Sequence, residues 1–305
     1  MSQPTSDSPL TGATYGILAS LIWAGFPAIT KLSMASTLTA WDVTALRFGT
    51  AGLLLFPVFA RRGLGSLRLR AALLLACGAG APYVLLTAGG LAFAPAAHMG
   101  VITPSCMLLF STVGSWLLLG DRPARARIAG MFTIFAGILM LGWDGLSNHG
   151  THTWLGDTMF VLGGLFWASY TIASRAWSVA PFHATVIVAV LSMVVYVPGY
   201  ALIAGPHLAA APWREIAIQA VFQGVLSAVV ALVFYTRSVA LLGAARGAVF
   251  AALVPSFSLL FAIPILRELP TRLQIIGVVL VTGGMLLVLG LYDPAKWRRA
   301  ARAAT

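Results

Sequence analysis

Charge is what this chain has least of. Of its 305 residues, 9% are Asp, Glu, Lys or Arg and 59% are hydrophobic, whereas a soluble domain carries about 25% charged residues and about half apolar ones. So few charges cannot clothe a water-facing surface, and with a mean hydropathy of +0.92 the chain reads as an integral membrane protein. Cysteine is scarce too. Cys77 and Cys106 are the two present; both lie in apolar stretches and neither belongs to a CxxC, so no zinc or disulfide framework is expected. None of the eight acids falls in the middle of an apolar run. The sequence has no HExxH, no GxSxG and no phosphate-cradling glycine loop, which speaks against an enzyme and against an ATP-driven pump. No cofactor and no metal are expected. The first eleven residues hold one Asp and no Lys or Arg, unlike the basic start of a secretory signal, so the first apolar stretch is expected to be retained.

What is abundant is apolar length. Runs broken by Pro, Gly and charge give ten candidate helices, over about 12–35, 40–60, 71–92, 96–119, 126–145, 154–175, 182–204, 215–240, 244–266 and 272–291. Each is close to the roughly 20 residues needed to cross a hydrocarbon core. A β-barrel is excluded, because its strands are short and alternate apolar with polar residues. The net charge of +11 sits in short clusters between the runs, so topology accounts for it better than nucleic acid does. With both termini in the cytoplasm, fourteen Lys and Arg fall inside and four fall outside (Lys31, Arg214, Arg267 and Arg272), with Arg47 left within a span. That bias is the positive-inside pattern. It places residues 1–11 and 292–305 as cytoplasmic tails.

The chain also repeats itself. LIWAGFPAITK at 21–31 resembles LFWASYTIASR at 165–175, placing Trp23 on Trp167 and Lys31 on Arg175. LLGDRPARARIAGMFTIFAGILML at 118–141 resembles ILRELPTRLQIIGVVLVTGGMLLV at 265–288, placing Asp121 on Glu268, Gly130 on Gly277 and Gly137 on Gly284. Two units follow, 12–145 and 154–291. Each holds five spans, an odd number, so the second enters the membrane from the opposite side. Inverted repeats are characteristic of secondary transporters, whose substrate sits between the halves near the midplane.

On these motifs, together with ALRF at 45–48 and the RELPTRLQIIG turn, the sequence resembles the EamA-type permeases, ten-helix bacterial members of the drug/metabolite transporter superfamily. The resemblance covers about residues 12–291. It implies a bundle of two inverted five-helix repeats around a central cavity. It also implies an inner-membrane exporter of amino acids or related small metabolites, as a monomer or homodimer in the lipid bilayer. Lipid or drug flippases, channels and an intramembrane enzyme stay open as alternatives. Small four-helix relatives in the superfamily exchange protons for cationic drugs through a glutamate in their first span. Here that span reads GILASLIWAGF and has no acid, so that mechanism does not carry over.

An ionisable residue inside a span costs roughly 2.5–3.5 kcal/mol on insertion scales and is a functional candidate by default. Arg47 is one. Its guanidinium offers paired donors to a substrate carboxylate, or else ties helix-end carbonyls or Asp42. His98 begins the fourth span near the outer face, where an imidazole suits proton coupling or a structural hydrogen bond. Lys31 and Arg175 lie at span ends and read as boundary markers that snorkel. Aromatic residues Trp23, Phe26, Tyr83, Trp167 and Tyr170 lie deeper than the interfacial belts where Trp and Tyr usually collect. Gln219 and Gln223 stand four apart on the eighth span. The expected substrate site is therefore Trp23, Phe26, Arg47, Tyr83, His98, Trp167, Tyr170 and Gln223, an aromatic cavity with a few polar groups for an amphipathic small molecule. Pro27, Pro82, Pro104, Pro198 and Pro255 fall within spans as candidate kinks and hinges.

Overall fold

The structure, a computed structural model, describes residues 9–148, 152–203 and 205–290. Most of the two expected tails lies outside the described residues. Within these there is no strand, and ten helical rods stand where ten spans are expected. They are α1 (Pro9–Met34), α2 (Ala40–Arg62), α3 (Leu69–Gly90), α4 (Ala96–Leu119), α5 (Arg125–Asn148), α6 (Thr153–Ala176), α7 (Pro181–Ile203), α8 (Trp213–Leu242), α9 (Ala244–Ala252 continued by Val254–Leu266) and α10 (Arg272–Val288). Eight of them are long and apolar enough to cross a membrane. The other two are α10, with 17 residues, and α6, where Asp157, Ser169, Thr171, Ser174 and Arg175 dilute the hydropathy.

Short connections make successive helices antiparallel and define two rims. The near rim is where α1 begins; the far rim is where it ends. Two helices start at the far rim with a reciprocal cap. Thr39 accepts from the Asp42 amide and its own amide donates to Asp42, while Thr271 does the same with Gln274. Each such pair satisfies two amides that a helix start would otherwise leave free. On the near rim, Gly120 ends α4 in the left-handed region at φ 75°, a conformation that glycine adopts without a Cβ clash.

The helices pack crosswise, as a duplicated and inverted unit should. α1 lies against α8 and α9 of the second half, and α6 lies correspondingly against α3 and α4 of the first. The mates α2 and α7 pair with each other, as do α5 and α10. The α5–α10 seam explains the matched glycines. A Cβ on Gly130 would lie 2.7 Å from the Gly284 carbonyl oxygen, and one on Gly137 would lie 2.8 Å from that of Gly277. Each glycine therefore faces the mate of the other, which is the two-fold relation written in van der Waals contacts. Without hydrophobic exclusion in lipid, such backbone approach is a main source of helix association. Gly283 takes no part: its Cβ would meet nothing within 4 Å.

Prolines break fewer helices than the sequence suggests. α1, α4 and α7 run unbroken through Pro27, Pro104 and Pro198. Pro82 and Pro255 instead sit in the first turn after breaks at Gly80 and Leu253, where a missing N–H costs no internal hydrogen bond. The sequence gives no warning of a different irregularity. α8 is wound as a π-helix over Ala220–Val230, a form that is rare, usually one turn long and frequent at functional sites.

Candidate functional site

The π-wound stretch of α8 carries Gln223 and Ser227, both buried, against α1 and α2. Arg47 reaches them from α2: one terminal nitrogen donates to Gln223 Oε1 at 2.9 Å and to Ser227 Oγ at 3.2 Å. Gln223 in turn donates to Thr30 Oγ1 on α1 at 2.6 Å. Gly224 lets this seam close, because a Cβ there would overlap the Thr50 side chain on α2. The guanidinium carbon lies 5.4 Å from the Phe26 ring centroid and 6.0 Å from that of Phe48, within range of a cation–π attraction. Arg47 Nε is buried without a hydrogen-bond partner. The side chain thus carries one donor that no protein group engages. Asp42, one of its possible partners by sequence, is engaged elsewhere, by Thr39, Tyr200 and His207.

Aromatic residues wall this centre in two pairs whose tryptophans are repeat mates. Trp167 on α6 stands 5.1 Å from Tyr83 on α3 and 5.4 Å from Tyr170, centroid to centroid. Trp23 on α1 stands 5.3 Å from Tyr235 on α8, and its indole N–H donates to the Ser227 carbonyl at 3.3 Å. In each half the first helix thus sets its tryptophan against a tyrosine on the third helix of the other half. Tyr83 is also within electrostatic reach of Arg47, which links the two groups.

Seven of the eight residues expected from sequence therefore gather around the junction of α1, α2, α3, α6 and α8. His98 stands apart from them, fully buried at the far rim. Gln219 is a brace, donating to the Ile29 carbonyl and to Ser33 on α1. Thr30, Ser227 and Tyr235 are site residues that sequence reading misses. Hydroxyls are common on apolar helices, and the turn count that aims Ser227 inward is set by the π-helix.

The open volume lies to the side. A groove of about 600 Å³ between α2, α3 and α7 is lined by apolar and aromatic side chains, among them Trp41, Leu85, Leu191, Tyr196 and Tyr200. Exposed Val195 and Ile203 place it on the outer flank of the bundle. Leu191 is the repeat counterpart of Arg47, 144 residues on by the offset of Trp23 to Trp167. The second half thus has an apolar groove where the first half has its cation.

The rims hold two further arrangements. Lys31 and Arg175 are more than boundary markers. Lys31 Nζ lies 3.0 Å from Glu268 on the far rim, and Arg175 lies 2.6 Å from Asp121 on the near rim. Both partners in each pair are repeat mates of those in the other. The second arrangement has no such mate. His98 Nδ1 lies 2.8 Å from Asp157 Oδ1; Asp144 accepts from Thr271 at 2.7 Å and from Gln274 at 2.9 Å; and the Gln274 amide also reaches His98 Nε2 at 3.2 Å.

The family model described as EamA-like transporter family matches residues 10–143 and 154–290. A curated relative from Archaeoglobus fulgidus, described as an uncharacterized transporter, is 25% identical over 277 residues, covering 88% of this chain and 94% of the relative. One solved crystal structure aligns with 93% of this chain and 98% of its own at a TM-score of 0.61 and 20% identity, a likeness of fold alone.

Proposed function

This chain belongs to the EamA-like transporter family, a multi-pass membrane protein, and we propose that it exports amino acids or related small carboxylates by alternating access. The near rim is cytoplasmic in this reading, as the positive-inside pattern requires, and the membrane is a bacterial inner membrane. Family membership points to transport rather than catalysis.

One observation carries the substrate class. Arg47 is a cation in a largely apolar interior, with a buried Nε that no protein group engages. Guanidinium pairs with carboxylate through two parallel N–H donors, and tyrosine and tryptophan rings beside it suit an apolar or aromatic body. The charge would orient the solute, and the paired aromatic walls on opposite halves would grip it from both sides. Rocking of the halves then exposes the same contacts to each rim in turn.

Counterflow in proteoliposomes, with a panel of labelled amino acids, tests this reading. Accumulation of one class, lost in Trp167→Ala, is the expected result. No accumulation from protein shown to be folded and inserted would sink it. The lateral groove supports a second reading, lipid translocation, because a flippase needs an opening toward the bilayer. Its test is scrambling of labelled phospholipid in the same vesicles.

A further inference from the structure

The flank formed by α2, α3 and α7 carries two features that the central site leaves unused. The first is the apolar groove. Its α3 wall runs from Leu73 to Leu85, a rise of about 18 Å at 1.5 Å per residue. The two leaflets share a hydrocarbon core of about 30 Å, or about 15 Å each. The groove is therefore long enough for one acyl chain of one leaflet. It opens outward, with Leu73 42% and Val195 66% exposed, and in a membrane the medium on that side is lipid.

The second feature is a run of charge at the near end of the groove. The α2–α3 turn holds Arg61, Arg62, Arg68 and Arg70, all exposed. No Asp or Glu occurs between Asp42 and Asp121. Among the described residues Asp121 is the one acid at the near rim, and it is paired with Arg175. The turn thus presents four cations that keep their charge at any physiological pH. Arg70 precedes Leu73 by three residues and Cys77 by seven, which puts it on the face of α3 that lines the groove. His183, at the start of α7, abuts the same turn, its Nε2 lying 3.2 Å from where a Cβ on Gly65 would stand. Turn and groove form one surface on the same three helices.

Positive-inside topology explains why basic residues favour this rim. It does not explain why four of them stand beside the groove. By the repeat offset of 144 they answer to Gly205, Pro206, Pro212 and Arg214, so three of the four charges have no part in the duplicated scaffold.

We propose that this flank binds one anionic phospholipid of the near leaflet, with its phosphate on Arg68 and Arg70 and an acyl chain along the groove from Leu73 to Leu85. Guanidinium meets phosphate through parallel N–H donors, and basic residues next to a span draw anionic headgroups to it. The lipid is resident, not carried. Its chain crosses the break in α3 at Gly80 and joins both segments of that helix to α7. The site rests on neither reading of transport, because it needs only a bilayer around the bundle.

Native mass spectrometry of the full-length protein, ejected from nanodiscs of phosphatidylglycerol and phosphatidylcholine with the same chains, reads the headgroup preference. The expected result is one phosphatidylglycerol retained in excess over phosphatidylcholine. That excess should fall about fivefold in Arg68→Gln and again in Arg70→Gln, and stay unchanged in Arg122→Gln, on the same rim but outside this turn. A phosphatidylglycerol with a photoreactive chain reads the groove, with cross-links expected on the peptides bearing Leu85 and Leu191. Equal retention of the two lipids would overturn the proposal, as would an excess that survives both arginine changes. Cross-links spread over all the outer helices would do the same, and a lipid-free dimer would assign the groove to a second copy of the chain. Neither measurement involves a solute or movement between leaflets. Failure here therefore leaves the counterflow and scrambling results standing, and their failure leaves this one.

Discussion

Lys31 meets Glu268 at the far rim as Arg175 meets Asp121 at the near rim, and Trp23 meets Tyr235 as Trp167 meets Tyr83. Arg47 on α2, however, answers to Leu191 on α7, and His98 and Asp157 answer to alanines. The two halves therefore agree in the ties that hold and align helices and differ at the buried polar positions Arg47, His98 and Asp157. Agreement is what a scaffold needs in order to exchange the roles of its halves. In the function proposed above, the solute is a single object without two-fold symmetry, so the cation that would meet it need not be duplicated.

The largest expected effect comes from breaking the shared part. Gly137→Leu drives a side chain into the Gly277 carbonyl, and overpacking of this kind costs about 1–3 kcal/mol. Folded yield and melting midpoint should fall clearly, whereas Gly283→Leu, which meets nothing, should leave both unchanged. Size-exclusion and thermal melting of the two variants measure it.

Next comes the change that makes the first half like the second. Arg47→Leu is expected to lower counterflow by at least about tenfold, or ~1.4 kcal/mol, with folded yield retained. Arg47→Lys should rescue little, because an ammonium lacks the planar paired donors. Normal transport in Arg47→Leu would return this residue to a structural tie.

The aromatic walls give a smaller and shared effect. An aromatic pair contributes about 0.5–1.5 kcal/mol beyond burial, so Trp167→Ala and Trp23→Ala should each reduce transport several-fold and reduce folded yield less. Equal loss of both quantities would assign the rings to helix packing. The smallest effect separates the rims. Lys31→Met and Arg175→Met should change stability by only about 0–1 kcal/mol, as partly exposed ion pairs do. They should nevertheless raise amide hydrogen exchange on opposite rims, Lys31→Met at the far one and Arg175→Met at the near one.

Much of this was legible in the residues. The apolar runs set the helix count and nearly every boundary, because a span must match the thickness of the hydrocarbon core. The repeated glycines and the repeated turn announced inversion. Arg47, Gln223 and the deep aromatics announced a centre. The His98 cluster was not legible as a cluster: Asp144, Asp157 and Gln274 stand far from His98 in the sequence, and their separations carry no period that would join them. Nor was the exclusion of His98 from the central group, since depth along a span does not reveal which neighbour a helix faces.

By itself the sequence determined what the solvent demands. In a bilayer every span must satisfy its backbone internally and hide its charges, so composition and run length settle the class, an all-helical membrane protein, and the places where its apolar helices run. Only the tertiary structure decided which polar groups meet. It wound α8 as a π-helix and so brought Ser227 to Arg47, paired Lys31 with Glu268, and left Asp157 Oδ2 without a donor. Those outcomes depend on the rotation and offset of one helix against another. Packing of small residues sets that geometry, and a mostly apolar one-dimensional pattern contains little that could fix it.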